Sequence, residues 1–219
     1  MTSSAHDVVT RLHDSFDNKQ QHEHPYRHWF LSSCLPETLL DDIIALPFEV
    51  PDLGDVSGKR ELHNSTRTYF DVENQEKYDC CAAFAQAFQD RQITSRIEQD
   101  FDINLSRTYL RIEYAQDTGN FWLEPHSDLG VKSFTMLIYL SKDPSHAELG
   151  TDIYDGEKRH VGRSPFSPGG ALIFVPANDT LHGFEPRNIE GVRKSIIVNY
   201  VTSEWRAREQ LAFPDRAIS

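Results

Sequence analysis

A chain of 219 residues can bury a substantial core, and one β-rich domain of this size is ordinary. Lys+Arg 22 against Asp+Glu 34 gives a formal net charge of −12, which repels phosphate backbones and leaves out the basic footprint of a nucleic-acid binder. No apolar run approaches the roughly 18 residues of a membrane span, and residues 1–10 lack the apolar stretch of a secretory signal, so a soluble, cytoplasmic protein with no membrane partner is expected.

Residues 5–20 gather Val8, Val9, Leu12 and Phe16 on one side, which predicts a surface helix. His22, His24 and His28 follow in a polar segment with Pro25. With no carboxylate or cysteine at regular spacing, they read as solvated loop histidines rather than a metal cluster. Pro36 opens a second predicted helix, with Leu39, Leu40, Ile43 and Ile44 as its core stripe, ending near Pro47. After a polar connection and a mixed segment over 60–72, residues 75–100 read as helical, with Tyr78, Ala82, Phe84, Ala85 and Phe88 packing inward. Cys34, Cys80 and Cys81 are odd in number, a poor basis for a disulfide framework and compatible with a reducing compartment. Cys80 and Cys81 lie in the alanine-rich helical stretch and read as packed rather than catalytic.

From Leu105 the pattern changes to period two. Short strands bounded by Gly119, Gly150, Gly156, Gly162, Pro168, Gly169 and Gly170 run to Val201, the spacing of a sandwich or jelly roll. Residues 205–211 read as a short closing helix. The expected fold class is α+β, mainly β with flanking helices: a barrel of about eight strands with N-terminal helices packed on it. It forms one domain over 1–219, with 1–104 mainly helical support, 105–201 the β core and 202–219 a C-terminal helix and tail.

Chemistry concentrates in the β half. In a strand, residues i and i+2 share a face, so His126 and Asp128 project together and can chelate one ion. Asp128 accepting a hydrogen bond from His126 is the alternative that this pair alone leaves open. Downstream, His182 follows the strand candidate 171–175 and the return through Asn178, Asp179 and Thr180. Two imidazoles and one carboxylate suit non-heme Fe(II) with open coordination positions. After a turn at Gly191, Arg193, Ser195, Ile197 and Asn199 share one face, and Lys194, Ile196, Val198 and Tyr200 the other. An inward arginine needs an anion, and a bound carboxylate satisfies it; a surface salt bridge is the competing reading.

His126-x-Asp128, His182 and Arg193-x-Ser195 together resemble the signature of the Fe(II)/2-oxoglutarate-dependent dioxygenases, and Glu124-Pro125-His126-x-Asp128 resembles the prolyl-4-hydroxylase-like branch. The likeness covers roughly residues 105–201. It implies a double-stranded β-helix (jelly-roll, cupin-like) fold, Fe(II) held by His126, Asp128 and His182, and 2-oxoglutarate held by Arg193, with Ser195, through its distal carboxylate. Family tyrosines near the cosubstrate match Tyr114 and Tyr139. O2 is the second cosubstrate, and the implied reaction hydroxylates an unactivated C–H bond while releasing succinate and CO2. Collagen-type prolyl hydroxylases commonly carry lysine where Arg193 stands, which counts against peptidyl proline; the sequence carries no obvious peptide-binding module, so a small molecule, an amino acid or biosynthetic intermediate, is the expected substrate. A carboxylate at Asp128, where halogenating relatives have a small residue, favours hydroxylation. Arg67, Arg111, Trp122 and Asn199 are the candidate pocket residues. The rival readings are a peptide or protein hydroxylase and, in another class, a cupin-like metal-binding isomerase or ligand sensor. Oligomeric state is not readable from these features.

Overall fold

A computed structural model of the protein describes residues 3–52, 58, 67–128 and 130–219. Helix α1 (Ala5–Asp17) starts at a capping box in which Ser4 and Asp7 satisfy each other's backbone N–H groups. Its buried stripe is the expected Val8, Val9, Leu12 and Phe16. Strands β1 (Gln20–His22) and β2 (His28–Leu31) form an antiparallel hairpin. His22 and His28 therefore sit in strands with their rings stacked at 5.0 Å, not in a solvated loop, and His28 is buried. Helix α2 (Glu37–Ile44) begins after Pro36 and buries Leu39, Leu40 and Ile43. The expected helical run over 75–100 is three helices, α3 (Val72–Lys77), α4 (Asp79–Gln89) and α5 (Arg91–Phe101), after the two-residue strand β3 (Thr68–Tyr69). Extended backbone at Tyr78 and Asp90 breaks the run, and Asp90 caps α5 through Gln92. Of the mixed segment 60–72, residues 60–66 lie outside the described residues.

The β region contains β4 (Tyr109–Gly119), β5 (Leu123–His126), β6 (Lys132–Tyr139), β7 (Asp152–Tyr154), β8 (His160–Arg163), β9 (Ala171–Phe174), β10 (His182–Phe184) and β11 (Ile189–Val201). They form two antiparallel sheets, ordered β1-β2-β9-β6-β11-β4-β3 and β5-β10-β7-β8. The N-terminal part thus adds three strands to the major sheet besides supplying helices. Its contribution leaves no period-two pattern in the sequence, because these strands are only two to four residues long.

Alternation along the major sheet creates two cores. One face, with Ile112 and Tyr114 of β4, Phe134, Met136 and Ile138 of β6, and Ile196, Val198 and Tyr200 of β11, packs with α1, α2, α4 and α5. The other, with Leu137, Tyr139, Leu172 and Phe174, meets Ile153 and Phe184 of the minor sheet. The expected closing helix is reduced to a three-residue 3₁₀ turn, Arg208–Gln210. Beyond it Leu211 bridges to Arg111 and the Ala212 N–H donates to the Leu110 carbonyl, so β4 draws this segment into extended pairing. Among the described residues no helix is long and apolar enough to cross a membrane.

Candidate metal and anion site

Two strands of the minor sheet put the histidines side by side. His182 on β10 lies directly opposite His126 on β5, with ring centroids 4.4 Å apart. Each ring is oriented by its own backbone: His126 Nδ1 is 2.9 Å from the Glu124 carbonyl and His182 Nδ1 is 3.1 Å from the Thr180 carbonyl. Donation from Nδ1–H to these oxygens puts the ligating lone pair of both rings on Nε2. Asp128 completes a group whose ligand atoms all lie within 4.8 Å of one another.

Strand β5 ends at His126, so the pleat alone does not aim Asp128. Two residues of β6 do. Lys132 Nζ is 2.7 Å from one carboxylate oxygen and Thr135 Oγ1 donates to the other at 2.7 Å. Lys132 would share the helix-packing side of β6 with Phe134, but β6 advances two residues, from Phe134 to Lys132, where β11 advances one, from Tyr200 to Val201. The extra residue re-aims Lys132 toward Asp128. Asn199 Nδ2 in turn donates to Thr135 Oγ1 at 2.9 Å, behind Asp128. An N₂O donor set with oriented imidazoles and a doubly hydrogen-bonded carboxylate fits a divalent iron.

The same cavity is lined by Arg193 and Ser195 on β11, Glu113, Ala115 and Asp117 on β4, Thr151, and apolar Leu123, Leu137, Phe184 and Ile197. Arg193 is 5% exposed. Its Nε donates to the Leu149 carbonyl at 2.7 Å, its Nη1 to Asp117 at 2.6 Å, and its guanidinium lies 4.7 Å from the Phe184 ring centre. This arginine is no surface residue, and its protein counter-ion is Asp117. The other oxygen of Asp117 takes Arg67 Nη1 at 2.8 Å; Arg67 Nε is 3.3 Å from Glu113, whose second oxygen is 2.8 Å from Arg111. Burial opposes the Arg67 cation, but Asp117 and Glu113 outweigh it and its pKa is raised.

Of the two expected cosubstrate tyrosines, Tyr139 lies at this end. It faces Ser195 across β6 and β11, its ring is 5.8 Å from the Arg193 guanidinium, and its hydroxyl meets Thr151 at 2.9 Å and also Ser164. Tyr114 does not. It occupies the opposite face of β4, among the helix-facing core, with its hydroxyl 3.4 Å from the Ile43 carbonyl. Glu113, Ala115 and Asp117 are odd in number and take the cavity face; Tyr114 is even, and period two sends it the other way.

Among the candidate pocket residues, Arg67 lines the cavity. Arg111 is buried behind it, hydrogen-bonded to Asn199, Gln210 and Tyr69. Trp122 packs on Gly58, where φ is +73° and an added Cβ would come within 2.3 Å of the indole. The three cysteines are buried and free. Burial pushes the Cys34 thiol up to about 12, which removes it from nucleophilic chemistry. Sequence reading missed Asp117, Glu113, Lys132, Thr135 and Thr151. The β4 alternation carries a signal for the first two, whereas Lys132 depends on a bulge that the sequence does not announce.

No protein-family model matches the chain, and no curated protein sequence matches it. Solved structures do. A Pseudomonas putida prolyl-4-hydroxylase is similar with a TM-score of 0.54 at 13% identity, over 93% of this chain and 95% of that one. A Trichoplax adhaerens prolyl hydroxylase, in complex with a hypoxia inducible factor oxygen degradation domain peptide fragment, has a TM-score of 0.59 at 14% identity, covering 93% and 91%. The non-heme α-ketoglutarate-dependent epimerase SnoN from nogalamycin biosynthesis has a TM-score of 0.54 at 14% identity, covering 90% and 83%. The fold is a double-stranded β-helix, an architecture this chain shares with these two prolyl hydroxylases and with the epimerase.

Proposed function

We propose that the protein is an Fe(II)- and 2-oxoglutarate-dependent dioxygenase that hydroxylates an unactivated C–H bond of a small polar molecule, an amino acid or biosynthetic intermediate, with release of succinate and CO2. The observation that carries this reading is one cavity that brings together an oriented two-histidine, one-aspartate set and a buried arginine beside a serine hydroxyl. His126, Asp128 and His182 would hold Fe(II), which, when bound with 2-oxoglutarate, supplies the redox chemistry that activates O2. The chain's own residues do the rest. Thr180 and Glu124 carbonyls fix the imidazole tautomers, Lys132 and Thr135 hold the Asp128 carboxylate, and Arg193 with Ser195 offers charge-assisted hydrogen bonds to a distal carboxylate. Leu123, Leu137, Phe184 and Ile197 supply apolar wall to the same cavity.

The small-molecule assignment draws support from the charges on the cavity wall. Arg67, Glu113, Asp117 and Lys132 line it and, although paired with one another, with Arg193 and with Asp128, present a polar wall to a bound ligand. The test is succinate formation from 2-oxoglutarate with Fe(II), ascorbate and air, across free amino acids, polar metabolites and proline-containing peptides. Turnover stimulated by a small molecule is expected. Stimulation by peptides alone would favour the peptide-hydroxylase reading, for which the peptide-bound Trichoplax structure is the precedent.

A further inference from the structure

Arg193 and Asp117 are register partners on adjacent antiparallel strands, Asp117 is 1% exposed, and its two oxygens are divided between Arg193 at 2.6 Å and Arg67 at 2.8 Å. The rings of Tyr139, Phe166 and Phe184 lie 5.8, 5.7 and 4.7 Å from the Arg193 guanidinium, and the Ser195 side chain lines the same cavity, surroundings that suit a cosubstrate carboxylate. Here the chain brings a carboxylate of its own. Arginine has five N–H donors, and the Leu149 carbonyl and Asp117 engage two of its nitrogens while the residue still lines the cavity. Any second carboxylate on this guanidinium lies within several ångström of Asp117, and like charges that close in a poorly solvated site change binding by about tenfold or more.

We propose that Asp117 is a built-in competitor for Arg193 that sets the affinity and selectivity of the anion end of the cavity: it holds the guanidinium as counter-ion and must share it with the distal carboxylate of 2-oxoglutarate. This rests on the reading of the cavity as a 2-oxoglutarate site. Removing the Asp117 charge should therefore tighten cosubstrate binding, whereas removing a residue that merely positions Arg193 would weaken it. The effect should be confined to ligands that carry the distal carboxylate.

The experiment measures dissociation constants of the Fe(II)-loaded protein without O2, by calorimetry, for 2-oxoglutarate and for 2-oxovalerate, which has the same carbon chain without the distal carboxylate. In Asp117→Asn, binding of 2-oxoglutarate should tighten about tenfold and that of 2-oxovalerate should stay within about twofold. Unchanged or weakened 2-oxoglutarate binding in a folded variant, with wild type binding normally and Arg193→Ala binding poorly, overturns the competitor role and leaves the cosubstrate reading intact. No 2-oxoglutarate binding to wild type, with Arg193→Ala identical to it, overturns the cosubstrate reading itself. Should Asp117→Asn not fold, wild type decides: a shared guanidinium should make the distal carboxylate worth less than about thirty-fold in affinity, and a larger gain overturns the proposal.

Discussion

The two faces of the major sheet, only one residue apart along each strand, divide the work of the molecule. On β11, Ile196, Val198 and Tyr200 enter the helix-covered core, while Arg193, Ser195, Ile197 and Asn199 turn to the cavity side. On β4, Leu110, Ile112 and Tyr114 take the first role and Glu113, Ala115 and Asp117 the second. The first face is apolar, with polar tips satisfied by helix carbonyls, as where Tyr200 donates to Phe88. The second carries alternating charges that neutralise one another. Stability and chemistry are thus separable by parity of residue number, and substitutions on one face should leave the other's property largely intact.

The largest expected effect is on the minor sheet that closes the cavity. His126→Ala or His182→Ala should lower succinate formation by at least about a thousandfold, because a two-ligand site does not hold catalytic iron, while melting temperature shifts little. Iron content and a thermal melt measure the two quantities. The complementary substitution on the helix-facing side, Ile196→Ala, should cost about 2–5 kcal/mol of stability by creating a cavity, with iron per folded molecule unchanged in a denaturant titration followed by metal analysis. On the cavity face, Arg193→Ala should weaken 2-oxoglutarate binding by up to about 2 kcal/mol, the ceiling set by sharing the guanidinium with Asp117, and Arg193→Lys by less, because charge survives. Fe(II) affinity should barely move in either, as calorimetry with the metal alone would show. Smallest of all, Tyr114→Phe should alter 2-oxoglutarate affinity by no more than about 0.5 kcal/mol, since its hydroxyl points to α2, and should cost about 0.5–1.5 kcal/mol of stability for the hydrogen bond to Ile43. A cosubstrate defect in Tyr114→Phe without a stability change would break the parity rule.

Parity also explains what is legible in the sequence. The period-two pattern of 192–201 assigns both faces of β11 from the residues alone, whereas the convergence of His126, Asp128 and His182 comes from the family resemblance, because only the register of β5 against β10 sets the distant His182 opposite His126. Tyr114 is misplaced by the family resemblance because a match to a family position takes no account of its even number between Glu113 and Ala115. Lys132 and Thr135 hold the Asp128 carboxylate, and the Lys132 contact depends on a β-bulge that pairing, not composition, creates. The short N-terminal strands are invisible in the sequence because two to four residues carry too little alternation to read. The Arg193–Asp117 pair needs the third dimension: each residue is visible as a charge, but only the register of β4 against β11 makes them neighbours.

The central claim is that one cavity binds Fe(II) and 2-oxoglutarate together, and anaerobic titration of the protein with both, recorded in the visible region, tests it most directly. A charge-transfer band of the iron chelate is expected in wild type, saturating at one cosubstrate per iron and lost in His182→Ala. A folded wild-type protein that binds Fe(II) yet shows no such band and no uptake of 2-oxoglutarate would contradict the claim and favour a metal-binding isomerase or sensor built on the same fold.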